Sequence, residues 1–293
     1  MHPIRHHDVG LLDNRRTLFL LAPAAFVFLV LLVSPIIFLV HLSLLPSMPN
    51  APLTGSIGFS GYAALGDSYH HSILWRTIRI SGITTLGCLL LGYPIALSII
   101  RSRGWWRSAQ IVFVVTPLFV SIVVRTYGWV LLLGNRGLIN GLLVWVGFRD
   151  QPVRLLGTEV AVVIGLMEAL LPFMVLSLSA VLSRIDTTLE EAARGLGASP
   201  IGAFLTVTLP LSLPGALAGC LLVFMVSMGS YVTPALLGGS EVRVMVTEIY
   251  TQVTTVFNWP LAAVLSLTLL GVSLTVAGLA SRLIRTERGR KTA

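Results

Sequence analysis

Val160-Ala-Val-Val-Ile-Gly-Leu-Met-Glu168-Ala-Leu-Leu-Pro172-Phe-Met-Val-Leu-Ser-Leu-Ser-Ala-Val-Leu182 is the stretch whose reading decides the fold. Its single charged residue is Glu168. A helix rises 1.5 Å per residue, so about 20 mostly apolar residues cross the hydrocarbon layer of a bilayer. This stretch is long enough and apolar enough to do so. Five others share the pattern, and the spans expected are residues 18–42, 78–100, 109–133, 160–182, 211–232 and 261–283. The first is too long for a signal-peptide core, and no small-residue cleavage site follows it. It is expected to remain as an anchor.

The rest of the 293-residue chain agrees. Hydrophobic residues make up 55% and charged residues only 11%, where a soluble domain carries roughly a quarter charged. That excludes a conventional cytosolic enzyme, a disordered chain and a disulfide-stapled secreted domain. The net charge of +8 does not point to nucleic acid, because the arginines are scattered where such binders concentrate them on one face. Arginine position instead sets orientation. Arg5, Arg15, Arg16, Arg101, Arg103, Arg107, Arg184 and Arg194, with the basic tail from Arg282 to Lys291, fall on one side of a six-span topology. Arg76, Arg79, Arg125, Arg136, Arg149, Arg154 and Arg243 fall in the opposite loops or within spans. Both termini are therefore expected in the cytoplasm. The organisation expected is a cytoplasmic tail over residues 1–17, one six-span unit over 18–283 with a cytoplasmic loop at 183–210, and a basic tail over 284–293.

Cys88 and Cys220 lie in apolar runs and read as core residues rather than a disulfide or metal site. His70-His71 with Asp67 read as an exposed loop rather than a metal site, and His2, His6 and His7 sit on the N-terminal tail. No Gly-x-Ser-x-Gly or His-Glu-x-x-His occurs. A phosphate-binding loop needs Gly-Lys followed by Ser or Thr, whereas the only lysine, Lys291, follows Arg290. No metal, no cofactor and no catalytic residue is expected in this chain.

The loop after Leu182 reads as two short helices. Thr187 and Glu190 have capping-box spacing, Gly195 and Gly197 stop the first helix, and Ser199-Pro200 starts the second. The outer loops are modest. Phe59, Tyr62 and Tyr69 suit an interfacial belt, and Asn135, Gly137 and Asn140 read as turn formers after the third span.

Within that loop, Glu191-Ala192-Ala193, Gly197, Val207 and Leu209-Pro210 stand at fixed spacing. The pattern resembles the cytoplasmic signature of the membrane-spanning subunits of binding-protein-dependent ABC importers. Gly195 departs from it, standing where those proteins often carry Asp. The resemblance implies an all-α type I importer permease fold. It further implies that Glu191, Ala192, Ala193, Gly197, Leu209 and Pro210 form the handle seated in a separate ATPase. Secondary motifs extend it to the polyamine-permease branch: Gly92-Tyr93-Pro94, Arg125-Thr126-Tyr127-Gly128-Trp129, Gly137-Leu138-Ile139-Asn140, Pro172-Phe173-Met174, Thr233-Pro234-Ala235-Leu236-Leu237-Gly238-Gly239 and Asn258-Trp259-Pro260. That branch resembles carriers of opines, ferric iron and other small solutes as well. The partners implied are two ATPase subunits holding ATP and Mg, a second and homologous permease, and an extracytoplasmic binding protein, in a bacterial inner membrane. An ion-driven carrier or channel is the rival reading. Such folds show inverted repeats or broken helices, and no repeat is evident.

An ionisable residue at membrane depth is a functional candidate. Arg125 and Glu168 lie at similar depth on adjacent antiparallel spans. They read either as a buried pair locking the two spans or, for Glu168, as a carboxylate facing the pathway of a cationic cargo. Tyr127 and Tyr231 are weaker pathway candidates, since aromatics at that depth often anchor at the interface.

Overall fold

The computed structural model describes residues 14–50, 55, 57–147 and 151–290. The stretch of tail over residues 1–13, with its three histidines, lies outside the described residues, as do Arg149 and Lys291. The regular structure of the described residues is all helical, with no strand among them. In chain order the helices are α1 (Asn14–Ser43), α2 (Ser68–Arg101), α3 (Gly104–Val115), α4 (Ile122–Leu133), α5 (Leu138–Trp145), α6 (Glu159–Leu182), α7 (Thr187–Gly195), α8 (Pro200–Ala203), α9 (Leu209–Met228), α10 (Met245–Thr254) and α11 (Trp259–Arg290). Five segments are long and apolar enough to span a membrane: Phe26–Ser43, Ser68–Arg101, Glu159–Leu182, Pro200–Met228 and Trp259–Arg282. A sixth is obtained when the bent pair Gly104–Phe119 and Ile122–Trp145 is taken as one span.

That bend corrects the expectation of one straight helix over residues 109–133. A 3-10 turn at Thr116–Phe119 ends α3, Val120 is extended, and the two halves meet at 99°. Pro117 lies where the helix changes character: it has no N–H to donate back to α3, while Thr116 before it stays helical and the chain first turns extended at Val120. Hydropathy measures transfer into lipid, not continuity of the backbone, and so does not register the break.

Three other boundaries differ. Helix α2 begins ten residues earlier than expected, with Asp67 at its N-cap accepting from the Tyr69 N–H at 3.2 Å. His70 is consequently a buried helical residue, not a loop residue. The expected outer loop after the third span contains α5. Asn140, expected as a turn former, is buried in that helix, donates to the Gly134 and Val153 carbonyls and accepts from the Val153 N–H. Finally, α11 runs to Arg290 through most of the expected basic tail.

The centre of the molecule is α2, α6 and α9. Cys88, Ala96 and Ile99 of α2 pack with Ala169, Met174, Val175 and Leu178 of α6 and with Val223 of α9. Glycine on α9 permits the approach: a Cβ at Gly215 would sit 2.6 Å from Val181 Cγ2, and one at Gly219 2.8 Å from Met174 Sδ. Helices in lipid associate through such small-residue contacts because apolar burial offers little there. Cys88 and Cys220 belong to this core as free thiols. Helix α1 packs along α11 and leaves Phe26, Phe28 and Leu31 exposed.

Candidate functional site

The elbow between α6 and α9 is built by local rules. Asp186, rather than Thr187, caps α7, its carboxylate accepting from the Thr188 N–H at 2.9 Å. That bond holds the Asp186 pKa below its ordinary value of 3.8. At the other end, the Ala198 N–H reaches the Ala193 carbonyl at 3.1 Å and the Gly197 N–H reaches the Arg194 carbonyl at 2.9 Å. These are the two bonds of a Schellman stop, with Gly197 at φ +95 in the left-handed position that glycine favours. The second expected stop, Gly195, is the last helical residue of α7.

Ser199 then caps α8, accepting from the Gly202 N–H at 3.0 Å with Pro200 in the first turn. Helix α8 does not stand apart as the sequence suggests. It passes through a π turn at Phe204–Thr208 straight into α9, so that Val207 lies in the widened turn and Leu209-Pro210 opens α9. Glu191 and Ala192 face outward and Ala193 is half-buried. Around them an apolar rim is left bare: Leu196 is 91% exposed and Ile201 72%, with Leu189 and Leu205 also exposed.

One residue of this loop was legible only as a helix-start signal. Glu190 accepts from Arg101 Nη2 on both carboxylate oxygens, at 2.9 and 3.1 Å, and from Thr208 Oγ1 at 2.9 Å. Arg101 is 89 residues away in sequence, so no local pattern reveals the tie.

At the second site the structure brings Arg125 and Glu168 together, Nε to Oε2 at 3.1 Å, with the side chains 15% and 27% exposed. Arg125 also donates from Nη1 to the Pro117 carbonyl at 2.8 Å. That carbonyl also accepts from the Val120 N–H at 3.2 Å, which closes the 3-10 turn, so a single guanidinium braces the backbone at the break and neutralises the acid. A charge left alone at membrane depth costs about 2.5–3.5 kcal/mol on insertion scales. Beside the pair, α2, α3, α4 and α6 border an open groove of about 1270 Å³, lined by Glu168, Trp129, Trp106, Phe113, Gln110 and Thr116 among others. Tyr127 and Tyr231 are not among its lining residues. Tyr127 is exposed on α4, while the Tyr231 ring lies against Tyr250 with centroids 4.5 Å apart.

At the end opposite the elbow, arginines are paired off. Glu159 takes Arg76 and Arg79, Glu241 takes Arg154, and Glu248 takes Arg243. Glu248 is buried and fully used: Tyr69 Oη donates to it at 3.0 Å and Gln252 Nε2 at 2.8 Å. The Thr77 hydroxyl accepts from the Met245 N–H at 2.9 Å. Together these fasten α10 across the start of α2.

A bundle of apolar helices, a small-residue core and a bent segment with an exposed apolar rim define a membrane-embedded subunit with a surface for a partner. The chain belongs to the family of binding-protein-dependent transport system inner membrane components, whose match spans residues 80–288. It is a multi-pass permease subunit of an ABC importer. It is 37% identical over 211 residues to the spermidine/putrescine transport system permease protein PotB of Haemophilus influenzae, covering 72% of this chain and 74% of that one. To PotB of Escherichia coli it is 36% identical over 226 residues, covering 76% and 82%. Among solved structures, it resembles a chain of a bacterial ABC transporter involved in import of the acidic polysaccharide alginate. The TM-score is 0.75 and the identity 23%, over 94% of this chain and 97% of that one. At that identity the likeness supports the type I importer permease fold alone.

Proposed function

We propose that this chain forms half of an ATP-driven import pathway for a polyamine in a bacterial inner membrane. Two copies of a separate ATPase hold ATP and Mg and grip the permease pair at the elbow. A second, homologous permease completes the pathway, and an extracytoplasmic binding protein delivers cargo to the far end. Closure of the ATPase pair draws the two elbows together and opens the pathway outward.

The observation that carries this reading is the elbow itself. A rigid helix with a Schellman stop presents Glu191 and Ala192 outward, ringed by bare Leu196 and Ile201. Small alanines permit close approach, a carboxylate offers charge-assisted bonds to a basic partner, and exposed apolar residues need cover. The polyamine assignment is supported by the PotB relatives and by the chemistry beside Glu168. A carboxylate next to Trp106, Trp129 and Phe113 suits a protonated amine. A passing ammonium competes with Arg125 for Glu168 while Arg125 keeps its bond to the Pro117 carbonyl.

The test is co-purification. Leu196→Asp with Ile201→Asp should release the ATPase from the detergent-extracted complex and lower uptake of radiolabelled spermidine at least tenfold, with membrane insertion unchanged. An ATPase that remains bound to the double variant would refute docking at the elbow.

A further inference from the structure

We infer that Glu190 is the positioning residue that makes the elbow move as one body with the spans, by clamping α7 to the end of α2 and the start of α9. The inference rests on the reading of the elbow as the ATPase handle and deepens it. Among the described residues, Glu190 is the only side chain of α7 bonded outside its own helix. Both of its oxygens take Arg101 Nη2, the last residue of α2, and Oε1 also takes the hydroxyl of Thr208, the last residue of the π turn. Thr208 is buried and the Glu190 side chain only 17% exposed, although Glu191 beside it faces outward. Adjacent glutamates thus point in opposite senses, one toward the docking face and one into the bundle.

The mechanical need for such a clamp follows from the surroundings. Helix α7 presents an apolar rim outward, and the joint behind it is a π turn, a geometry with poorer internal bonding than an α-helix and often found where function requires it. A push on α7 can be taken up by flexing at the π turn, or it can be passed to the spans. Glu190 bridges that joint from α7 to Thr208 and ties the same carboxylate to α2. Helices α2 and α9 both pack on α6, which carries Glu168. The Arg101 side chain is 55% exposed and meets both oxygens through one nitrogen, so that ion pair alone is weak. It is the buried Thr208 hydroxyl on Oε1 that adds the second point of attachment and fixes the carboxylate in place.

The experiment uses the full complex in proteoliposomes with its cognate ATPase, second permease and binding protein. It compares ATP hydrolysis with and without spermidine-loaded binding protein, alongside spermidine uptake. In Glu190→Gln and in Arg101→Gln, the ATPase should still co-purify and hydrolyse ATP, while stimulation by the binding protein falls at least fivefold and uptake falls with it. The exchange Glu190→Arg with Arg101→Glu should restore more than half of the stimulation, a rescue that simple damage to the fold would not give. Unchanged stimulation in both single variants overturns the clamp while leaving ATPase docking intact. Loss of the ATPase from Glu190→Gln that the exchange does not repair also overturns it, by making Glu190 a docking residue. A wild-type complex that holds no ATPase at the elbow refutes the docking reading itself.

Discussion

Single side chains in this molecule do two jobs where the backbone leaves a gap. Arg125 braces the Pro117 carbonyl at the break after α3 and neutralises Glu168 with the same guanidinium. Glu168→Gln keeps the shape and a hydrogen-bonding group but removes the charge. The complex should assemble normally by size-exclusion chromatography, with spermidine uptake lowered at least fivefold; failure to assemble would show the pair to be a lock and nothing more. Asp186 illustrates the same economy at the surface. Its carboxyl is held below the ordinary value of 3.8 by the Thr188 N–H, so the cap is complete at neutral pH. The cap fades only as pH falls below 3.8 and through the lower value of the folded state.

Elements show which features are legible from sequence. Periodicity plays no part in the spans, which are apolar all round; length alone identifies them, and five of the six come out as continuous helices. The third does not, because Pro117 is a weak signal by itself. Pro23, Pro35, Pro94, Pro172 and Pro214 all sit inside helices that continue. What distinguishes Pro117 is its place in the first turn of a 3-10 segment that ends at an extended Val120, with Arg125 eight residues on donating to its carbonyl. The elbow was readable to the residue at Gly197 and Ser199 because caps are local chemistry. Its anchorage was not, since Glu190 meets Arg101 across 89 residues of sequence. The α6–α9 contact gives a test at this scale. Gly215→Leu forces a side chain against Val181, an overpacking expected to cost about 1–3 kcal/mol. The detergent-solubilised protein should lose thermal stability, whereas Gly271→Ala, with open space at its Cβ, should not.

Across the whole molecule, charge is distributed in two different ways. Of the seven basic residues expected away from the cytoplasmic face, Arg76, Arg79, Arg125, Arg154 and Arg243 are ion-paired. Orientation follows the count of arginines rather than net charge, so this pairing satisfies the outer arginines locally without altering the bias toward the elbow side. Apolar surface is distributed unevenly too. Helices α1 and α3 leave Phe26, Phe28, Phe113 and Trp105 bare, in keeping with a chain that lives among lipid and companion subunits. The widened turn at Phe204–Thr208 holds one residue of slack in the chain, because each residue of an α-helix advances the spiral by about 100°. Excising one residue inside 204–207, which leaves Thr208 in place, should let that slack close while the elbow keeps its compass bearing, and spermidine uptake should survive. The same excision inside α9 should swing the elbow about a quarter-turn out of its bearing and silence uptake, so tolerance to shortening tells slack from fixed register.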